Sequence, residues 1–344
     1  MSTAVAWFRE VGIDDRPTVG GKGGSLGELT QAGIPVPPGF VVTTSAFEQF
    51  LAALEAREPI RSQVEALDPN DMGAATKLSE DLRRRVVGEP MPPDIEQALL
   101  AAHEELGAEA VAVRSSATTE DAEDASFAGL QDTFLWVLSG KDMIVRVREC
   151  WGSLYSVESM TYRRKHTFPE EGVAMAVVVQ AMVDARTAGV MFTRSPTTGD
   201  KSVITIEGAW GLGSAVVSGE VTPDRWVIGK ITGEISVRDI SDKHARQVPA
   251  PGGGIMEVEN EAVIANQPCL TDDQLMALRE IGRKVERHYG KPQDIEWALG
   301  EDGSVFLLQS RPETVWAAKD AAAPVKPPEA NPLAHVMSIF GGKK

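Results

Sequence analysis

The chain has 344 residues, with 34 Lys plus Arg against 50 Asp plus Glu, a net charge of −16 and a pI near 4.8; this exceeds one hydrophobic core, since single cores stop growing at about 250–300 residues. Hydrophobic residues at 42% and charged residues at 24% exclude a disordered or fibrous chain, and the acidic excess argues against general binding to nucleic acid or anionic membranes, so any phosphate must be met locally. Cys150 and Cys269 match no metal spacing or disulfide framework, and no N-terminal basic-then-apolar segment or long apolar run occurs, so the expectation is a cytoplasmic protein.

In chain order, GFVVTTSAFEQFLAAL (39–54) reads as a short strand running into a helix, with Ser45 and Glu48 at capping-box spacing. From 55 to 109 the pattern is charged and helical, broken at GEPMPPD by three prolines, and predicts a largely solvated helical region. Strands are expected at AVAV before Arg114, at 173–183, 188–193, 202–207 and 225–228, separated by turn-rich pieces. Residues 271–290 predict a helix with a Thr271/Gln274 capping box, Leu275, Leu278, Ile281 and Val285 facing inward, and Gly290 as terminator. DIEWAL (294–299) and VFLLQSRP (305–312) predict a hairpin around Gly300 to Gly303. Past Val315, an Ala/Pro/Lys stretch reads as a linker. Beyond it, Asn331-Pro332 opens either a frayed tail or a short helix with Leu333, Val336, Met337 and Phe340 on one face, fit to dock on another subunit.

Three constellations could carry chemistry. GGKGGSLGEL places Lys22 among glycines, which suits a phosphate cradle, although neither a Walker A spacing nor G-x-G-x-x-G is present; a purely structural glycine turn fits equally. Arg114, at the end of an expected strand and ahead of a polar loop, suits a phosphoryl clamp or a salt bridge to Glu120, Asp121, Glu123 or Asp124. Asp294 and Glu296 share one face of a strand, and Gln309 and Arg311 share one face of its partner. If the faces coincide, hard oxygens and a guanidinium converge as magnesium and phosphate require; a solvated face of paired charges is the alternative. The five histidines show no ligand spacing, and the helix dipole accounts for His288.

Together GGKGGSLGEL, IPVPPGFVVTTSAF, AVRSSATTEDAEDASFAGLQDTFL, GVMFTRSPTTG, GAWGLGSAVVSGEVTPD, HYGKPQDIEW and FLLQSRPET resemble the ATP-binding part of phosphoenolpyruvate synthase, colinear from residue 7 to about 316, and are similar to pyruvate phosphate dikinase and rifampin phosphotransferase. The resemblance implies an α+β ATP-grasp fold whose two lobes clamp ATP: 1–185 and 186–316, followed by a linker and tail at 317–344. It implies that Lys22 and Arg114 hold the ATP phosphates, that Gly129, Gln131 and Thr133 belong to a loop closing over them, and that Glu296 and Gln309 coordinate Mg2+. Arg311 would contact the transferring phosphoryl group, and Gln180, Ala181, Met182 and Val183 would line the adenine, with Glu207 nearby.

Family members continue into a phosphohistidine domain and a substrate domain. No histidine of this sequence has the expected Gly-Gly setting, so the resemblance implies a partner subunit bearing the histidine, with ATP going to AMP and phosphate. As a separate ATP-binding chain it resembles the smaller subunit of phenylphosphate synthase, which makes a phenol-like hydroxyl compound the leading expected acceptor and pyruvate the second. A regulatory ATP-binding module and an ATP-grasp ligase that releases ADP are the rival readings.

Overall fold

The computed structural model describes residues 4–118, 132–314 and 316. The chain opens with β1 (Val5–Trp7), α1 (Arg16–Gln31), β2 (Gly39–Val42) and four helices, α2 (Thr44–Glu55), α3 (Arg61–Glu65), α4 (Met72–Gly88) and α5 (Pro93–Leu106). Next come β3 (Val111–Ala117), β4 (Thr133–Val137), α6 (Gly140–Ser153), α7 (Val157–Lys165) and β5 (Met175–Ala181). After a short connection follow β6 (Ala185–Phe192), β7 (Val203–Trp210), α8 (Ser214–Val217), β8 (Asp224–Gly229), β9 (Ile235–Asp239), β10 (Ala245–Pro249), β11 (Ile255–Glu259), α9 (Ala262–Ala265), α10 (Asp272–Tyr289), β12 (Gln293–Gly300) and β13 (Val305–Pro312).

This is an α+β arrangement built on two antiparallel sheets. The first has five strands in the order β1-β2-β5-β3-β4, and the second has six, in the order β13-β12-β6-β7-β8-β9; β10 and β11 form a separate ribbon. The chain crosses from one sheet to the other between β5 and β6. Two sheets around a cleft are what the resemblance to ATP-grasp proteins implies.

Each sheet is buried by a different partner. Phe40, Val42, Val113, Val177 and Val179 of the first sheet pack against Leu82, Leu99, Val147 and Trp151 of the surrounding helices. Val41, Ala176 and Val178, on the opposite face, pack against Val19 and Leu26 of α1. With both faces covered, all four residues of β2 are buried and alternation disappears from its sequence. In the second sheet Met191, Ile206, Trp226, Ile295 and Trp297 pack against Leu275, Leu278 and Val285 of α10. That helix carries the expected Thr271/Gln274 capping box and a left-handed Gly290 terminator.

Several local expectations are corrected. The cap of α2 is Thr43, whose hydroxyl accepts from Ala46 N, rather than Ser45. The helical region is not largely solvated, since Val64, Leu82, Ile95 and Leu99 are fully or almost fully buried. GGKGGSLGEL lies within α1, which is broken at Gly20, rather than in a separate turn, and its glycines let α1 lie close to its neighbours: a Cβ on Gly27 would lie 2.1 Å from Val11 O, and one on Gly24 3.0 Å from Gly12 O. β3 does not end at Arg114; Ser115, Ser116 and Ala117 continue it, and all seven of its residues are buried. His288 does more than face the helix dipole, for its Nε2 lies 2.7 Å from Glu28 Oε1 on α1.

Candidate functional site

A cavity of about 320 Å³ lies between the sheets, and most of the residues expected at the nucleotide line it. The first sheet contributes Ala112, Arg114, Thr133, Leu135, Gln180 and Ala181, and the crossover contributes Met182 and Val183. From the second sheet come Ala188, Gly189, Glu296, Trp297 and Ala298, with the turn at Leu212, Gly213 and Ser214 closing one side. Short side chains at 188, 189 and 298 give an open floor. Glycine is required at 189, where a Cβ would lie 1.9 Å from Glu207 O on the adjoining strand.

The crossover wall is tied down by its backbone. Ala181 N donates to Pro38 O at 2.9 Å, and Met182 N to Ala110 O at 3.0 Å. Gln180 is buried, its amide donating to Pro37 O at 3.4 Å. This end of the cavity is mostly apolar. The opposite end is charged, and there the two sheets meet through one side chain.

Arg114 reaches from β3 to the second sheet. Its Nη1 donates to Leu308 O at 2.8 Å, and its Nη2 to Glu296 Oε2 at 2.9 Å and Gln309 Oε1 at 2.7 Å. The antiparallel register of β12 and β13 sets Glu296 opposite Gln309 and Asp294 opposite Arg311, so the two faces left open by the sequence do coincide. Arg311 donates to Asp294 through Nε at 2.9 Å. Burial pushes the Asp294 carboxyl above its ordinary range, and the Arg311 guanidinium pulls it back in part. Among the described residues no group of three or more His, Cys, Asp and Glu side chains gathers as a metal cage. Glu296 and Gln309 instead supply two adjacent hard oxygens, which fits an ion that takes its remaining ligands from water and phosphate.

Lys22 and Glu207, also expected at the site, are not among the described residues lining the cavity. Lys22 sits on α1 and is half-buried; its neighbour Gly23 donates its N–H to Ser116 Oγ at 3.1 Å, which places this part of α1 against the end of β3. Glu207 lies on β7, opposite Val190 and Arg225, and is not among the residues lining the cavity. Burial raises its carboxyl, with Arg225 opposing. Gly129, Gln131 and the tail at 317–344 lie outside the described residues. Sequence reasoning set Asp294 among the converging oxygens of the hairpin, where the structure pairs it with Arg311, and it missed the wall at 185–189 and the turn at 212–214. The Gly211-Leu212-Gly213 run after a β-rich segment was the available signal for that turn.

Among the described residues no helix is long and apolar enough to cross a membrane. Residues 16–331 match the sequence profile described as pyruvate phosphate dikinase, AMP/ATP-binding domain. The chain is 43% identical over 320 residues to a probable phosphoenolpyruvate synthase of Methanothermobacter thermautotrophicus, covering 91% of this chain and 46% of that protein. It is 38% identical over 360 residues to the phosphoenolpyruvate synthase of Aeropyrum pernix, covering 94% of this chain and 44% of that one. The chain thus spans about half the length of these curated relatives. Among solved structures, D-alanyl-alanine synthetase A from Vibrio cholerae overlaps 70% of this chain and 56% of its own at 11% identity, with a TM-score of 0.29.

Proposed function

The chain belongs to the family of pyruvate phosphate dikinase AMP/ATP-binding domains, and on that premise we propose that it binds Mg-ATP between its two sheets and transfers a phosphoryl group to a histidine carried outside these 344 residues, for delivery to pyruvate. The observation that carries this reading is the convergence of Arg114 from one sheet with Glu296 and Gln309 from the other, at the charged end of a cavity whose far end is apolar. A planar base fits the apolar wall at 180–183, and the polyphosphate then runs toward the charged end.

Phosphoryl transfer asks a protein mainly to position in-line groups and to neutralise charge as it develops. Arg114 presents a planar fork of donors to phosphoryl oxygens, Lys22 adds a point charge, and Arg311, held by Asp294, faces the transferring group. Glu296 and Gln309 would hold magnesium, which when bound supplies charge neutralisation that side chains alone do not reach. In the family reaction the histidine takes the β-phosphoryl group, the γ-phosphate goes to water and AMP leaves. Of this chain's histidines, none of the described four, His103, His166, His244 and His288, lines the cavity. This supports an acceptor histidine carried on a separate subunit, which is the arrangement we favour.

The phenol-directed acceptor expected from the sequence is set aside. The relatives compared carry the name phosphoenolpyruvate synthase, and none of their names points to phenol, so pyruvate is the better supported substrate. The test is to incubate the chain with magnesium and ATP labelled separately at the β and γ positions, together with a histidine-bearing domain from such a relative. AMP with β-label on the added histidine is the expected result. ADP would point to an acyl-phosphate ligase, and tight ATP binding without products to a regulatory module.

A further inference from the structure

Lys22 differs from the other expected phosphate-binding residues in lying on a helix, and that helix is gripped from both sheets. α1 breaks at Gly20, where φ is 71° and ψ 177°, so a fresh helical turn starts at Gly21 with Lys22 in it. At the break the helix touches β3 so closely that a Cβ on Gly20 would lie 2.0 Å from Ser116 O. Ser116 is fully buried. Its hydroxyl donates to Val19 O at 2.9 Å and accepts from Gly23 N at 3.1 Å, closing the break on both sides of Lys22. It thereby satisfies one of the backbone N–H groups that every helix start leaves without a partner. Ser116 is also two residues from Arg114 and on the same face of β3.

The second grip comes from the other sheet. Ser25 is buried, and its hydroxyl donates to Ser310 O at 2.7 Å, the carbonyl between Gln309 and Arg311. Two serines therefore fasten the turn that bears Lys22, one beside Arg114 and one beside the Gln309/Arg311 strand. Resting on the nucleotide reading above, we infer that Ser116 and Ser25 are positioning residues for Lys22, setting its ammonium group against Arg114 and the β12–β13 pair. A merely structural role would have the hydroxyls satisfy buried backbone groups and nothing more. The two roles differ in whether the effect of a serine depends on Lys22.

The test is a double-mutant cycle on Mg-ATP affinity, measured by titration calorimetry for the wild-type chain, Ser116→Ala, Ser25→Ala, Lys22→Met and the two double variants. With Lys22 present each serine loss is expected to weaken binding about five- to tenfold, the value of one well-placed hydrogen bond. In the Lys22→Met background the same changes are expected to cost under about twofold. Equal losses in both backgrounds would overturn the inference while leaving the nucleotide reading intact. Absence of ATP binding by the wild-type chain would overturn both. Should Ser116→Ala fail to fold, the Ser25→Ala cycle decides alone, and loss of folding in both variants would assign the serines to stability and overturn the proposal.

Discussion

Arg114 has an unusual burden for one side chain, because three acceptors on the opposite sheet depend on it. Removing it leaves the Glu296 carboxylate without its counter-ion in a cleft that screens charge poorly. Arg114→Met is therefore expected to cost about 2–4 kcal/mol of stability, near the range for breaking a poorly solvated ion pair, and to abolish ATP turnover; urea unfolding and AMP release measure the two effects. Asp294 allows a pH test. Its carboxyl is raised by burial and lowered by Arg311, so Arg311→Gln raises it further. A carboxyl raised in the folded state binds its proton more tightly there than in the unfolded chain, and stability falls as pH rises through the folded value. The melting-temperature deficit of Arg311→Gln should therefore be smallest well below the ordinary carboxylate range, where Asp294 is protonated in both states, widen as pH rises toward the folded value, and level off above it. A constant deficit would contradict the assignment. At this scale the i,i+2 spacings on 294–296 and 309–311 were legible because strand periodicity is local. The partner of Arg114 was not, because it lies nearly two hundred positions away and only the register of distant strands brings it close.

The helices divide according to what specifies them. α10 was legible from period and caps alone, since its inward residues, its capping box and its glycine stop all agree. Thr271→Ala should cost about 1 kcal/mol by thermal melting, the usual value of an N-cap hydroxyl. α1 could not be recognised locally, because glycine is among the poorest helix formers. Its glycines answer to neighbours that only the fold supplies. Two effects compete at Gly27: alanine gains about 1 kcal/mol of helix propensity, but its Cβ would meet Val11 O at 2.1 Å. The steric term wins, and Gly27→Ala is expected to lower stability by about 1–3 kcal/mol, as overpacking does; a gain in melting temperature would show that α1 can move outward. Ser115 and Ser116 misled for a related reason. They read as loop residues because they are polar, yet they sit buried in β3 with α1 and residue 132 as hydrogen-bond partners.

At the scale of the whole molecule, acidity and a phosphate-binding reading are compatible because an anion is met locally, in the cleft, rather than by the surface at large. The net charge of −16 belongs to the surface at large, while Arg114 lines the cleft between the sheets. Mg-ATP should then stabilise the whole chain, by about 2.7 kcal/mol at one hundred times its dissociation constant. A melting temperature unmoved by saturating Mg-ATP would count against the site. The contribution of the N-terminal helix to the second sheet was not legible in the sequence. Leu29 and Ile34 are buried in the core beneath α10 and the second sheet, and Leu307 N donates to Pro35 O at 2.8 Å. During synthesis these residues emerge early, but the strands and helix that cover them are among the last made. Until those elements are complete, Leu29 and Ile34 lack part of the core that buries them. A nascent chain stalled before that point is thus a natural client for a chaperone, and residues 186–316 produced alone would meet the same deficit from the other side.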